Sequence, residues 1–155
     1  MFICNSNLAI MTLKLFRAVW FLSMLIVMAN LLYVYAGLPE QVSLTEGAEA
    51  YSVGREQLFY SAMALIALAN VMVYLFSKKL APSEDFRTWL HGQVITLNIF
   101  FIIGMSFIGL YNSAEKFDFG RIGFIIYSSV GLVGLWATGW PIYLVTKKFI
   151  AKQVV

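Results

Sequence analysis

Charge is what this sequence has least of. Of its 155 residues, 12% are Asp, Glu, Lys or Arg, against 61% hydrophobic, with a mean hydropathy of +0.80. Soluble domains carry about 25% charged residues, so too little polar surface is left to cover a water-soluble globule. That excludes an ordinary cytosolic enzyme and a disordered chain. Cysteine is nearly absent too. Cys4 stands alone, so the chain cannot form an internal disulfide or a cysteine-built metal or redox centre, and a secreted disulfide scaffold is excluded. The single histidine, His91, cannot supply both axial ligands of a haem. There is no phosphate-binding Walker loop, no HExxH and no Ser/His/Asp constellation. The expectation is a chain without catalysis, metal or cofactor of its own.

What remains is apolar length. A bilayer core about 30 Å thick takes roughly 20 helical residues, and four stretches reach that, at about 18–36, 58–76, 94–111 and 122–145. None holds Asp, Glu, Lys or Arg. Continuous runs of this kind favour helices over the alternating ten-residue strands of a membrane barrel. The predicted fold is all-α: one domain, a polytopic integral membrane protein, its four transmembrane helices bundled up-down-up-down.

The few charges sort by side. Lys14, Arg17, Lys78, Lys79, Arg87, Lys147, Lys148 and Lys152 flank one side of the spans with only Glu84 and Asp85, a net +6. Arg55, Lys116 and Arg121 share the other side with six acids, a net −3. The positive-inside bias predicts both termini in the cytoplasm of a plasma membrane. The basic balance serves topology and anionic lipid contact rather than nucleic acid. Trp20, Trp89, Trp136 and Trp140 fall toward the inner boundary and Tyr33, Tyr35, Tyr51, Tyr60 and Tyr111 toward the outer one. Val34-Tyr35-Ala36 has the spacing of a signal-peptidase site, but the run before it is long for a signal segment, so an uncleaved first helix is expected. Two starts fit equally well: Met1, or Met11 with the first ten residues as an upstream extension.

Inside the spans the polar side chains are amides and hydroxyls. Asn70 and Thr138 lie six and seven residues from the inner end of their spans and Asn98 four, roughly 6–10 Å deep at 1.5 Å per residue. Asn30, Ser106, Ser128 and Ser129 form a second level from the outer side. An amide in hydrocarbon needs a partner, and each interhelical bond contributes about 0.6–2 kcal/mol. Both levels therefore read as interhelical glue, with a small polar pocket for a quinone, lipid headgroup or solute as the alternative. His91 reads as an interfacial polar residue, or else as a single ligand or proton site shared with another subunit. Gly131, Gly134 and Thr138 follow i, i+3, i+7 spacing in the fourth span, and Ser61, Ala64 and Ala67 line the second. Such faces let helix backbones meet in lipid and predict contacts within the bundle, or else with another subunit. Pro141 is expected to kink or end the fourth helix. Phe100, Phe101, Phe107 and Phe124 suit lipid or a large apolar partner.

The longest connection, residues 37–57, has its own texture: Leu38-Pro39-Glu40-Gln41-Val42, then Gly47, then Gly54-Arg55 opening a helix. It resembles the extracytoplasmic loop between helices one and two of SdpI-like bacterial membrane proteins over about 20 residues. That family's loop carries a histidine and an asparagine where this chain has Ser43, Thr45 and Glu46, so its ligand-contact role is not carried over. The resemblance implies a bacterial plasma-membrane protein with a short external cap. Read physically, the acids keep the segment wet, and a solvated loop is expected, though its length allows it to fold over the bundle.

Three functions compete. The first is a non-catalytic accessory or structural subunit of a larger membrane complex, whose partners are the lipid bilayer and other membrane-protein subunits. The second is a small transporter, immunity or signalling protein acting as a homo-oligomer. The third is a quinone- or lipid-modifying enzyme component using His91.

Overall fold

The computed structural model describes residues 2–45, 51–79, 81, 83–113 and 119–153. Four helices carry the fold: α1 (Phe2–Gly37), α2 (Arg55–Lys79), α3 (Glu84–Tyr111) and α4 (Phe119–Gln153). All four are long and apolar enough to cross a membrane, and each of the four apolar stretches lies within one of them. Local chemistry sets their ends. Ser83 accepts a hydrogen bond from the Phe86 amide at 3.2 Å, and Glu84 and Asp85 follow in the first turn of α3. Such a cap stabilises a helix by about 0.5–2 kcal/mol, and the acids face the positive end of its dipole. In α2 the same logic puts Glu56 first and Lys78 and Lys79 last.

Residue pairs between helices fix their directions. Trp20, Ser23, Asn30 and Val34 of α1 meet His91, Asn98, Ser106 and Gly109 of α3 in the same order, so these two are parallel. Trp136 and Trp140 of α4 meet Trp89 and Phe86 in reverse order, and α2 runs against α1, with Phe59 near Tyr35 and Asn70 near Trp20. The topology is thus up-down-up-down. The start of α1 and the end of α4 share one end, called inner below.

α3 is the hub. It packs against each of the other helices, whereas α4 leans on α3 and little else. Val27, Leu31 and Val34 of α1, with Leu38 just past its end, follow i, i+4, i+7, i+11 spacing and bury one stripe against Ala62, Ile66 and Met105. In α4, Ser129 is the one residue buried among those described with side chains, and 6% of its spanning stretch is buried against 17–22% in the others. The bundle is a three-helix core with a fourth helix on its flank.

Several expectations are corrected here. The outer connection is not a plain solvated loop. Residues Gln41–Ser43 (β1) and Ser52–Gly54 (β2) pair antiparallel, Val42 opposite Val53. Val42 is fully buried in the core cluster beside Leu38, so the hairpin caps the bundle; two apolar side chains find cover there that the acidic texture conceals. Gly131 and Gly134 are exposed with nothing near them, and Ser61, Ala64 and Ala67 are exposed too. The close approaches occur elsewhere. A side chain added at Gly109 would press on Val34, at 3.1 Å, and one at Gly92 would overlap the Trp136 indole. Pro141 does not end α4, which continues to Gln153.

Gly92 matters because of what it admits. The Trp89 indole donates to the Trp136 carbonyl at 2.8 Å, and the Trp136 indole donates to the Trp89 carbonyl at 3.0 Å. Each tryptophan thereby fastens the other's helix, with Phe86 and Trp140 stacked alongside. Overfilling a packed contact costs about 1–3 kcal/mol. Gly92→Ala should therefore lower the thermal stability of the detergent-solubilised protein and shift its tryptophan emission. Unchanged melting and emission would show that Trp136 does not rest on Gly92.

Candidate functional site

The polar seam lies on the inner side of the apolar core, where α1, α2 and α3 meet. Asn70 and Asn98 face each other from α2 and α3. The Asn70 Nδ2 donates to Asn98 Oδ1 at 3.0 Å, and the Asn98 Nδ2 donates back to Asn70 Oδ1 at 3.3 Å. Their remaining protons are also used: Asn70 Nδ2 reaches the Ile66 carbonyl at 2.8 Å and Asn98 Nδ2 the Ser23 hydroxyl at 2.9 Å. The Trp20 indole donates to Asn70 Oδ1 at 2.8 Å, and Ser23 Oγ donates to the Trp20 carbonyl. Three helices are thus tied at one depth. Asn98 is fully buried and Asn70 nearly so, and an unpaired amide there would cost the desolvation of its polar atoms. The Ser23 hydroxyl spends its proton on the Trp20 carbonyl, and the bonds of this network hold α1, α2 and α3 in register.

Of the residues singled out from sequence, the structure brings Asn70 and Asn98 together and leaves Thr138 out. Thr138 is exposed on α4 and donates back to the Gly134 and Leu135 carbonyls. On the outer level, Asn30 Nδ2 donates to Ser106 Oγ at 2.9 Å, joining α1 to α3, while Asn30 Oδ1 is buried without a partner. Ser129 is buried but bonds within α4, to the Ile126 carbonyl, and Ser128 is exposed. Beside the Asn30–Ser106 pair a groove of about 610 Å³ opens between α1 and α3, lined by Tyr33, Gly37, Gly109 and Leu110 among others.

His91 does not sit at a wet boundary as expected. It is buried, its Nδ1–H donating to the Arg87 carbonyl at 2.6 Å and its ring edge-on to Trp20 at 5.3 Å. The ring is packed between α1 and α3 because the parallel pairing puts Trp20 at its height. Among the described residues no cluster of three or more His, Cys, Asp or Glu side chains could hold a metal ion. Cys4 lies in α1, and its surroundings are outside the described side chains.

At the outer end Asn112, just past α3, holds the cap. Its Oδ1 accepts from the Ser43 amide at 2.8 Å and its Nδ2 donates to the Ser43 carbonyl at 3.0 Å. The side chain acts as a third strand along β1, pairing backbone groups at a sheet edge. Arg55 completes the clasp: its amide donates to the Glu40 carbonyl, its Nη1 to the Leu38 carbonyl at 3.2 Å, and its guanidinium lies over Tyr35. Ser23 and Asn112 were not singled out from sequence, and Trp20 only as an aromatic of the inner boundary. Trp20 and Ser23 carry a signal in retrospect, since they continue the Val27–Leu31–Val34 stripe backward at helical spacing. Asn112 carries none.

No protein-family model, curated protein or solved structure matches this chain.

Two outcomes test the seam and the clasp. Asn70→Leu and Asn98→Leu should each cost about 0.6–2 kcal/mol of stability, and the double variant should cost less than the sum, because each single change strands the other amide. Strict additivity in unfolding measurements would break the pair apart. Asn112→Ala should raise hydrogen exchange at residues 41–43 and 52–54 while leaving the helices protected.

Proposed function

We propose that the chain is a non-catalytic accessory subunit of a larger membrane protein complex, and that α4 is the helix it docks with. The observation that carries this reading is the imbalance of α4. One face, through Trp136 and Trp140, is spent on α3, and the opposite face leaves Gly131, Gly134 and Thr138 open. Small residues on an open face allow close backbone approach by a further helix in lipid, where apolar bulk supplies little drive. The inner polar level supports the same reading, since its amides are consumed by one another rather than turned toward a route or a substrate.

The placement follows the charge bias: both termini in the cytoplasm and the hairpin outside, in a bacterial plasma membrane. Kinship with SdpI-like proteins belongs to this proposal as well. Its support is the Leu38-Pro39 and Gly54-Arg55 texture together with the folding of that segment into a short cap. The second reading, a small homo-oligomeric transporter, immunity or signalling protein, draws on the groove beside Asn30 and Ser106.

Gentle detergent extraction from native membranes, native electrophoresis and mass spectrometry separate the two. The complex reading expects co-migration with unrelated subunits in fixed stoichiometry, lost in Gly131→Phe while the isolated chain still folds. Migration as a lone monomer or homo-oligomer would sink it.

A further inference from the structure

The inner mouth of the α1–α2–α3 core gathers unbalanced positive charge. Trp20 and His91 stand at one height on parallel helices. Arg17 precedes Trp20 by one turn and Arg87 precedes His91 by one turn, so the parallel register puts the two arginines at one height, one step further toward the inner end. Arg17 is close enough for its charge to act on the His91 ring, and the Arg87 carbonyl accepts from that ring. Lys14 and Lys78 rise from the same ends of α1 and α2, with Lys78 over the Tyr74 ring at 5.7 Å. Facing these cations are Glu84 and Asp85 alone, both in the first turn of α3, and no described carboxylate pairs with Arg17 or Arg87.

Arg87 is the unusual member. It is half-buried under the α2–α3 connection, where Nη2 reaches the Ala81 carbonyl at a long 3.5 Å and Nε is buried with no partner. A guanidinium has five donors in a planar fork, and one weak bond leaves most of them unanswered. A guanidinium held in place, a second one exposed at the same height and a local excess of positive charge suit a tetrahedral oxyanion, which takes paired N–H donors. The height is right for a headgroup: the pair sits where charged residues first appear below the apolar span, and basic pockets between helices at that level bind phosphate-bearing lipids.

We propose that Arg17 and Arg87 form a phosphate-binding site at the inner mouth of α1 and α3, taking the phosphate of an anionic lipid headgroup or a free phosphate ion. The site leaves the docking face of α4 untouched and stands independently of the accessory-subunit reading.

The test uses the full chain in phosphatidylcholine nanodiscs, with and without phosphatidylglycerol, and separately with inorganic phosphate. A ligand that binds only the folded state raises the melting temperature, so one of the two probes should raise it by several degrees. A rise with phosphatidylglycerol alone assigns the site to a lipid headgroup; a rise with inorganic phosphate as well assigns it to phosphate from either source. Arg87→Gln and Arg17→Gln should each abolish the rise, and Lys79→Gln should keep it. Arg17 is exposed, so its variant carries the test even if Arg87→Gln fails to fold. No rise with either probe, or an equal loss in Lys79→Gln, overturns the site; the equal loss would mean diffuse surface charge.

Discussion

The reciprocal amide pair between Asn70 and Asn98 is the constraint on which the rest of the arrangement depends. In an apolar bundle most contacts are interchangeable, since one methyl group packs against another at many offsets. An amide cannot slide: moving either helix by one residue along its axis, 1.5 Å, would break two hydrogen bonds and strand polar atoms in hydrocarbon. Because Trp20 and Ser23 join the same pair, α1 is locked at the same depth. The apolar core toward the outer end, from Val27 to Val42, then packs in the register that the amides allow.

From that seam the structure diverges in both directions. Toward the outer end the core closes under a hairpin, held by an asparagine side chain that pairs with strand backbone. Toward the inner end, aromatic rings take over. Two tryptophans exchange indole–carbonyl bonds across Gly92 and attach α4 to the hub, while its contact with α1 is the Phe16 ring against Trp136. The result is a three-helix unit with a lateral fourth helix, an asymmetry that a closed bundle would not have.

Much of this was legible in the chain. Four runs without a charge predicted four helices, because no charged side chain is comfortable in hydrocarbon, whereas the Ser83 cap of α3 emerged only from the structure. The depth of Asn70 and Asn98 from their span ends also predicted that they could meet. Depth alone was insufficient for Thr138, which lies at the same level but on a face turned away. Equal height is a one-dimensional statement, and contact needs the rotation of each helix as well. The same gap explains Gly131 and Gly134. Their spacing describes a face suited to close packing, but it does not say whether a helix of this chain occupies it.

Composition and order along the chain therefore determined the number of helices, their direction and the depth of each polar group, since these follow from the cost of placing charge and unpaired amides in an apolar medium. Which faces meet was decided only in three dimensions. Gly92, Gly109 and Asn112 look unremarkable in sequence, and each gains its role from a partner, Trp136, Val34 or Ser43, that lies far along the chain. The scarcity of charge shows the same division. Sequence predicted that the arginines stay out of the spans, and folding then brought Arg17 and Arg87 to one height, because α1 and α3 run parallel and share one depth.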